Sequence, residues 1–123
     1  MIKYSFDSKE QIMYVNFSGT VSFEELLDHV SPKENRQNYP KRLKILTNSA
    51  RAKIDIKPTE LKLIKAQLLE TIKSFDKVYD AFVVEGPFET ELSMMYMDVG
   101  KNRKYEFKVF SSLEGAMAWL KQQ

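Results

Sequence analysis

Five short segments show the alternation typical of β-strands, and the order in which helical patterns join them constrains the fold most. Residues 2–7 and 12–19 alternate apolar and polar side chains, which predicts an antiparallel hairpin. Three more strands are predicted at residues 42–48, 78–84 and 105–110. Because a helical segment precedes each of these three, the last four strands are expected to run parallel through helical crossovers, as in α/β proteins.

Four amphipathic helices are predicted between and after these strands. Ser22 stands three residues before Glu25, the spacing of a capping box, and so begins the first helix. Ser111 and Glu114 repeat that spacing at the start of the last helix. The longest helix covers roughly residues 58–75, and the third helix follows the fourth strand.

The helices are expected to lie mostly on one face of a five-stranded mixed sheet. In four of the five strands, polar residues alternate with apolar ones, which a sheet covered on both faces would not tolerate. The other face should therefore be partly open, with Tyr14 and Leu46 contributing apolar surface there. A length of 123 residues and an apolar fraction of 43% predict that residues 1–123 form a single domain.

Composition excludes several classes of function. The chain has no cysteine, which excludes disulfides and thiolate chemistry and suits a cytoplasmic protein. The longest strongly apolar stretch, residues 81–84, is too short to span a bilayer, and the N-terminus lacks the apolar run of a signal peptide. A net charge of +2 does not indicate a nucleic-acid partner, and none is predicted.

Basic residues are concentrated in residues 33–57, which hold eight of them against two acidic ones. One interpretation is a solvated basic face, and the other is a contact site for an anion or an acidic partner. The candidates for such a site lie near the carboxyl end of the third strand: Asn48, Ser49, Arg51, Lys53 and Lys57. Because the charges belong to a strand, a connection and a loop, stable association with membranes is not expected.

No set of residues predicts catalysis, a metal site or a cofactor. His29 is the only histidine and lies in the first helix, where a surface position is expected. The four glycines are scattered, so neither a phosphate-binding loop nor a dinucleotide fingerprint is present. Glu85, Glu89 and Glu91 surround the start of the third helix, where the helix dipole favours acidic residues. We therefore predict that the protein is not an enzyme.

The third helix carries a cluster of methionine and aromatic residues. Helical spacing buries only about half of them, so the others face elsewhere. Core packing is one explanation, and a flexible apolar pocket or partner surface is the other, since methionine adapts to irregular ligands. The candidate surface for a ligand or partner comprises Phe88, Met94, Tyr96 and Met97, with Tyr14 and Leu46 on the sheet.

Four strand-to-helix junctions carry a family resemblance. They read FSGTVSFEEL (17–26), RLKILTNSA (42–50), DAFVVEGPFETEL (80–92) and VFSSLEGAMAWL (109–120). In this order they resemble the SpoIIAA-like family, relatives of STAS domains that are often described as related to the CRAL-TRIO lipid-transfer fold. The resemblance implies a β-α superhelix with helices stacked largely on one side. It also implies a module that binds a protein partner or forms a homodimer, the alternative being a carrier or sensor for a small apolar ligand or lipid near the third helix.

The turn before the second helix departs from the pattern that the resemblance implies. STAS regulators typically carry a phosphorylatable serine there, in an Asp-Ser-Ser-Gly-like turn. This chain reads IDIKPTEL (54–61), with Lys57 and Pro58 at about the serine positions and Thr59 as the nearby hydroxyl. We therefore expect a regulatory module that lacks the serine phosphoswitch.

Overall fold

The computed structural model describes residues 1–99 and 101–123 and gives the bounds of each element. The strands are β1 (Ile2–Asp7), β2 (Ile12–Phe17), β3 (Thr20–Ser22), β4 (Arg42–Asn48), β5 (Lys53–Asp55), β6 (Lys77–Val83) and β7 (Tyr105–Phe110). The helices are α1 (Phe23–Val30), α2 (Leu61–Thr71), α3 (Pro87–Asp98) and α4 (Leu113–Lys121). Short 3-10 turns at Pro58–Glu60 and Ile72–Ser74 extend α2 at both ends, and a further one spans Glu34–Asn38.

A five-stranded sheet forms the centre of the described part of the chain. Its strand order is β1-β2-β4-β6-β7. β1 and β2 pair in antiparallel fashion, whereas β2, β4, β6 and β7 run parallel to one another. The predicted α/β class and the mixed sheet with an N-terminal hairpin are therefore confirmed.

Three helices lie on one face of this sheet, and the fourth lies on the other. α1, α2 and α3 cover the main core, which receives Met13, Ile45 and Val78 from three neighbouring strands. α4 packs on the opposite face, where Ala116 and Leu120 are fully buried in a second apolar cluster. The helices are thus mostly on one face, as expected, while α4 covers part of the face that the alternation of polar residues left open.

A second, two-stranded sheet among the described residues was not predicted. β3 and β5 pair in parallel, with Val21 opposite Ile54 and both side chains buried. The sequence indicates only a loop between the third strand and the second helix, at residues 49–57, and that interpretation is wrong for β5. Three residues are too few to establish a period of two, and pairing between distant segments leaves no local signal.

Serine caps start the first and the last helix. Ser22 forms the predicted capping box: its Oγ accepts a hydrogen bond from Glu25 N at 3.1 Å, and Glu25 Oε1 accepts one from Ser22 N at 3.3 Å. At α4 the cap is Ser112, whose Oγ accepts a hydrogen bond from Gly115 N at 3.1 Å. The prediction of Ser111 as the cap is wrong by one residue, because two adjacent serines offer the same acceptor group.

Candidate functional site

A cavity of about 100 Å³ lies in the main core, between the sheet and helices α1 to α3. The residues that line it are buried or half-buried, so it lies within the core and is partly open to the surface. Most of the lining is apolar, and it includes Ile45, Ile64, Leu68, Val78, Phe82 and Leu92. The sheet and all three helices that cover the main core therefore contribute to its walls.

Asp80 brings a carboxylate to this cavity. It lies between Val78 and Phe82 on β6, so the alternation of the strand directs it to the same face. Its Oδ1 accepts a hydrogen bond from Thr47 Oγ1 at 3.1 Å, and its Oδ2 accepts one from Tyr105 OH at 2.9 Å. We call these three residues the Asp80 cluster; the neighbouring parallel strands β4, β6 and β7 hold it in place.

Lys65 and Tyr96 join α2 to α3 beside the Asp80 cluster. Lys65 Nζ donates a hydrogen bond to Tyr96 O at 2.9 Å. The same Nζ lies 4.1 Å from the centre of the Tyr96 ring and 5.3 Å from that of Tyr105, close enough for cation–π attraction. Only 3% of Lys65 is exposed. A buried ammonium thus points at a carbonyl and two rings rather than at a carboxylate.

Burial sets the protonation of the groups around the cavity. It raises the pKa of Asp80 to about 6, a rise that the hydrogen bonds from Tyr105 and Thr47 limit. It lowers the pKa of Lys65 to about 8, against the opposing charge of Asp80. Burial also raises the pKa of Tyr96 and Tyr105, so both hydroxyls stay protonated at neutral pH. At neutral pH the cavity is therefore bordered by a largely ionised carboxylate whose partners are neutral hydroxyls.

Arg36 and His29 border the same cavity, from the turn after α1 and from α1 itself. The Arg36 guanidinium donates hydrogen bonds to the carbonyl oxygens of Ser31, at 3.3 Å, and of His29. Burial lowers the pKa of His29 to about 4, and the charge of Arg36 adds to that effect, so the imidazole is neutral. The expected surface position of His29 is wrong: the residue follows Leu26 by three positions and shares its inward side of α1.

The arrangement of strands and helices matches a solved structure, that of an uncharacterized protein from the DUF3478 family with a SpoIIAA-like fold from Shewanella loihica PV-4. The likeness covers 97% of this chain and 93% of that chain, with a TM-score of 0.57. The fold is SpoIIAA-like. At 13% sequence identity the likeness shows the fold alone, and it confirms the predicted resemblance at that level. No family model and no curated protein matches the chain.

The residues of α3 that were predicted to contact a ligand or partner point in different directions in this SpoIIAA-like fold. Tyr96 borders the cavity. Phe88 and Met94 face solvent, with 52% and 46% of their surface exposed. Met97 is half-buried and borders a separate depression that Lys65 also lines. Of this group, only Tyr96 therefore belongs to the cavity.

Tyr14, Leu46 and Asn48 come together in a groove between the hairpin and α4 of the SpoIIAA-like fold. The groove has a volume of about 820 Å³, and Leu113 and Met117 of α4 line its other side. Leu46 is only 6% exposed because α4 packs over it. The apolar surface expected on this face is thus supplied by Tyr14 and by α4 rather than by Leu46.

The predicted anion contacts separate into buried and exposed residues. Ser49 is buried, and its Oγ donates a hydrogen bond to Val83 O at 2.7 Å, which fastens the loop after β4 to β6. Asn48 is half-buried in the groove. The exposed members are Arg51, Lys53 and Lys57. Ser49 therefore has a structural role, and the three cations remain accessible.

Among residues 1–99 and 101–123, no three acidic or histidine side chains converge as the ligands of a metal ion would. Within the same range, none of the helices has the length and apolar character needed to cross a membrane.

Sequence reasoning missed the Asp80 cluster, although one signal was present. Asp80 interrupts the apolar strand VYDAFVV at a position that alternation assigns to the side of Val78 and Phe82. Thr47 gives the same signal two residues after Ile45. A charged residue on the buried side of a strand is rarer, and so more informative, than an exposed methionine.

Proposed function

We propose that this protein is a non-enzymatic carrier or sensor that binds a small, mainly apolar molecule in the cavity of the main core. The observation that carries the proposal is the cavity itself, about 100 Å³ of interior space with apolar walls and one carboxylate. Apolar pockets with a few convergent polar groups are the usual sites for small ligands. We propose binding rather than catalysis because the hydroxyls of Thr47 and Tyr105 are already engaged as donors to Asp80. The lack of cysteine suits the reducing cytoplasm, where we expect this binding to occur.

The volume of the cavity limits the size of the ligand. One water needs roughly 10–15 Å³ of such space, and an engineered apolar cavity of about 150 Å³ binds benzene. A cavity of about 100 Å³ therefore suits a ligand of about four or five non-hydrogen atoms. A long acyl chain would require the helices to move apart. We accordingly favour a small molecule over a lipid.

Cyclopentane, which has five carbons and no polar group, is a suitable probe of the cavity. Addition of cyclopentane should shift the methyl resonances of Ile64 and Leu92 in a saturable way, since both residues line the cavity. The methyl resonances of Leu63, which is 57% exposed, should stay in place. Equal shifts at all three residues, or no saturable shift at Ile64 and Leu92, would contradict the proposal.

Two variants of α2 provide a matched control. Leu68→Trp enlarges a side chain that lines the cavity, so it should abolish cyclopentane binding. Leu63→Trp makes the same change on the exposed side of the same helix and should leave binding intact. The amide spectrum of each variant establishes that the fold is retained. Binding that persists in folded Leu68→Trp would show that cyclopentane occupies another place.

A second candidate function is protein interaction, which we propose for the groove beside α4. It is supported by the size of the groove, about 820 Å³, and by its apolar lining, in which Leu113 is 44% exposed. A homodimer formed at this groove would dissociate when Leu113 is replaced by Asp. Sedimentation equilibrium at several concentrations measures this, with Met95→Asp on α3 as a control at a residue of similar exposure. A monomer at every concentration would contradict self-association.

A further inference from the structure

We propose that the ligand of the cavity is a small alkylamine, whose ammonium group binds Asp80 while its alkyl part contacts the apolar walls. This inference rests on the proposed function, because it names the chemical class of the molecule that occupies the same cavity. The inference adds the requirement that the ligand carry a positive charge, which a purely apolar molecule lacks.

The first observation is that Asp80 has acceptor capacity to spare. An ionised carboxylate offers about four lone-pair positions for hydrogen bonds. In this structure, Thr47 Oγ1 occupies one position on Oδ1 and Tyr105 OH occupies one on Oδ2. Asp80 lies deep in the core yet retains accessible surface, which we attribute to the cavity that it borders. A ligand in the cavity can therefore reach the remaining positions.

The second observation is that Asp80 has no ion-pair partner among residues 1–99 and 101–123. Lys65 is the nearest candidate, but its ammonium is directed to the Tyr96 carbonyl and does not border the cavity. The hydroxyls of Thr47 and Tyr105 are neutral. Buried carboxylates are normally paired, so this one has a favourable place for a cation.

The third observation concerns the other charged group at the cavity, Arg36. Its guanidinium would repel an ammonium, but it donates to the carbonyls of His29 and Ser31 at the end of α1, where the helix dipole is negative. The lowered pKa of His29 keeps the imidazole neutral. Within the described residues, Asp80 is therefore a charged group at the cavity without a cation in contact, since Lys65 acts on it only from a distance.

Energetics favour an ammonium over the alternatives. The fold already removes most of Asp80 from water, so the dehydration cost of the pairing falls mainly on the ammonium. An ammonium supplies three donors and a positive charge, whereas an alcohol supplies one donor and no charge. A carboxylate of the same size would be repelled. The expected order of affinity is amine, then alcohol, then acid.

Three probes that share a four-carbon chain test this order: n-butylamine, 1-butanol and butyrate. Each is titrated into the protein at pH 7.5, and binding is followed by the methyl resonances of Ile64 and Leu92. Butylamine should bind at least about tenfold more tightly than butanol, and butyrate should not bind. Equal affinity for butylamine and butanol would overturn the amine proposal and leave the proposed function standing. Failure of all three probes and of cyclopentane would overturn both.

Replacement of Asp80 tests whether its charge causes the preference for an amine over an alcohol. Asp80→Asn keeps the shape of the side chain and removes its charge, so the ratio of amine to alcohol affinity should fall to about one. Should this variant not fold, the wild-type protein gives the same information. Lowering the pH from 7.5 to 5 protonates Asp80, whose pKa is about 6, and should reduce the ratio severalfold. A ratio that stays constant in the variant, or across this pH range, would overturn the assignment.

Discussion

The hydroxyl of Tyr105 donates a hydrogen bond to Asp80 Oδ2 over 2.9 Å, within a core that is otherwise mainly apolar. The bond stabilises the charged form of a carboxylate that burial disfavours. Since burial prevails and the pKa of Asp80 still rises to about 6, the fold is less stable with Asp80 ionised than with it protonated. A residue that lowers stability in this way is typical of a site shaped for binding.

Asp80→Asn should therefore stabilise the protein above pH 6. The pKa of Asp80 is raised in the folded state, so the stability that this group contributes is full below its ordinary pKa of 3.8 and is lost as the pH rises through about 6. At pH 8 we expect the variant to gain about 1–3 kcal/mol in the free energy of unfolding. Urea unfolding of both proteins at pH 5 and pH 8 measures the difference. A gain of equal size at both pH values would show that ionisation of Asp80 is not its cause.

Tyr105→Phe should destabilise the protein more at pH 8 than at pH 5. Loss of the hydroxyl raises the pKa of Asp80 further and leaves a buried acceptor with one donor fewer, at a cost of about 1–3 kcal/mol. At pH 5 Asp80 is mostly protonated, so the variant should lose less unfolding free energy. Tyr79→Phe is the control, because its hydroxyl accepts from Arg42 on the opposite face of the sheet. The control should show no such dependence on pH, and a similar dependence in both variants would contradict the account of Tyr105.

Replacement of the capping serines should distinguish the structure from the sequence-based expectation. Ser22→Ala and Ser112→Ala each remove an acceptor for an amide at a helix start and should cost about 1 kcal/mol of unfolding free energy. Ser111→Ala, the neighbouring control, should cost much less. Urea unfolding of the three variants measures this. A larger loss at Ser111 than at Ser112 would mean that α4 starts one residue earlier.

Alternation and capping predicted the main sheet and its helices because these signals are local. Met13, Val15 and Phe17 share one face within a single strand, and Ser22 finds its partner three residues away. The pairing of Val21 with Ile54 could not be predicted from such local signals, because each strand has only three residues and its partner is distant in sequence.

The cavity could not be predicted for a related reason. Its volume depends on how far α2 and α3 stand from the sheet, which no single element determines. Residue type alone predicted Phe88 and Met94 as ligand contacts, but they face solvent. The position of Asp80 within its strand was the better signal, because it combined charge with an inward direction.

The basic segment at residues 33–57 does not form one charged face, which limits its attraction to an anionic membrane. Arg36 is buried, and Lys33 pairs with Asp28 at 3.2 Å. Lys41 Nζ donates to Ser74 O at 3.0 Å. The accessible cations near the carboxyl ends of the strands are Arg51, Lys53 and Lys57.

Three exposed cations should not hold the protein on an anionic membrane at physiological salt. Each contributes about 1 kcal/mol near an anionic surface, and the attraction fades within a Debye length of about 8 Å. The protein should therefore stay in the supernatant when vesicles of one third phosphatidylserine are sedimented at about 0.15 M salt. Weak pelleting at about 0.01 M salt should disappear in a triple variant with glutamine at these three positions. Robust pelleting at the higher salt would contradict the prediction, and it would favour a lipid over a small amine as the ligand.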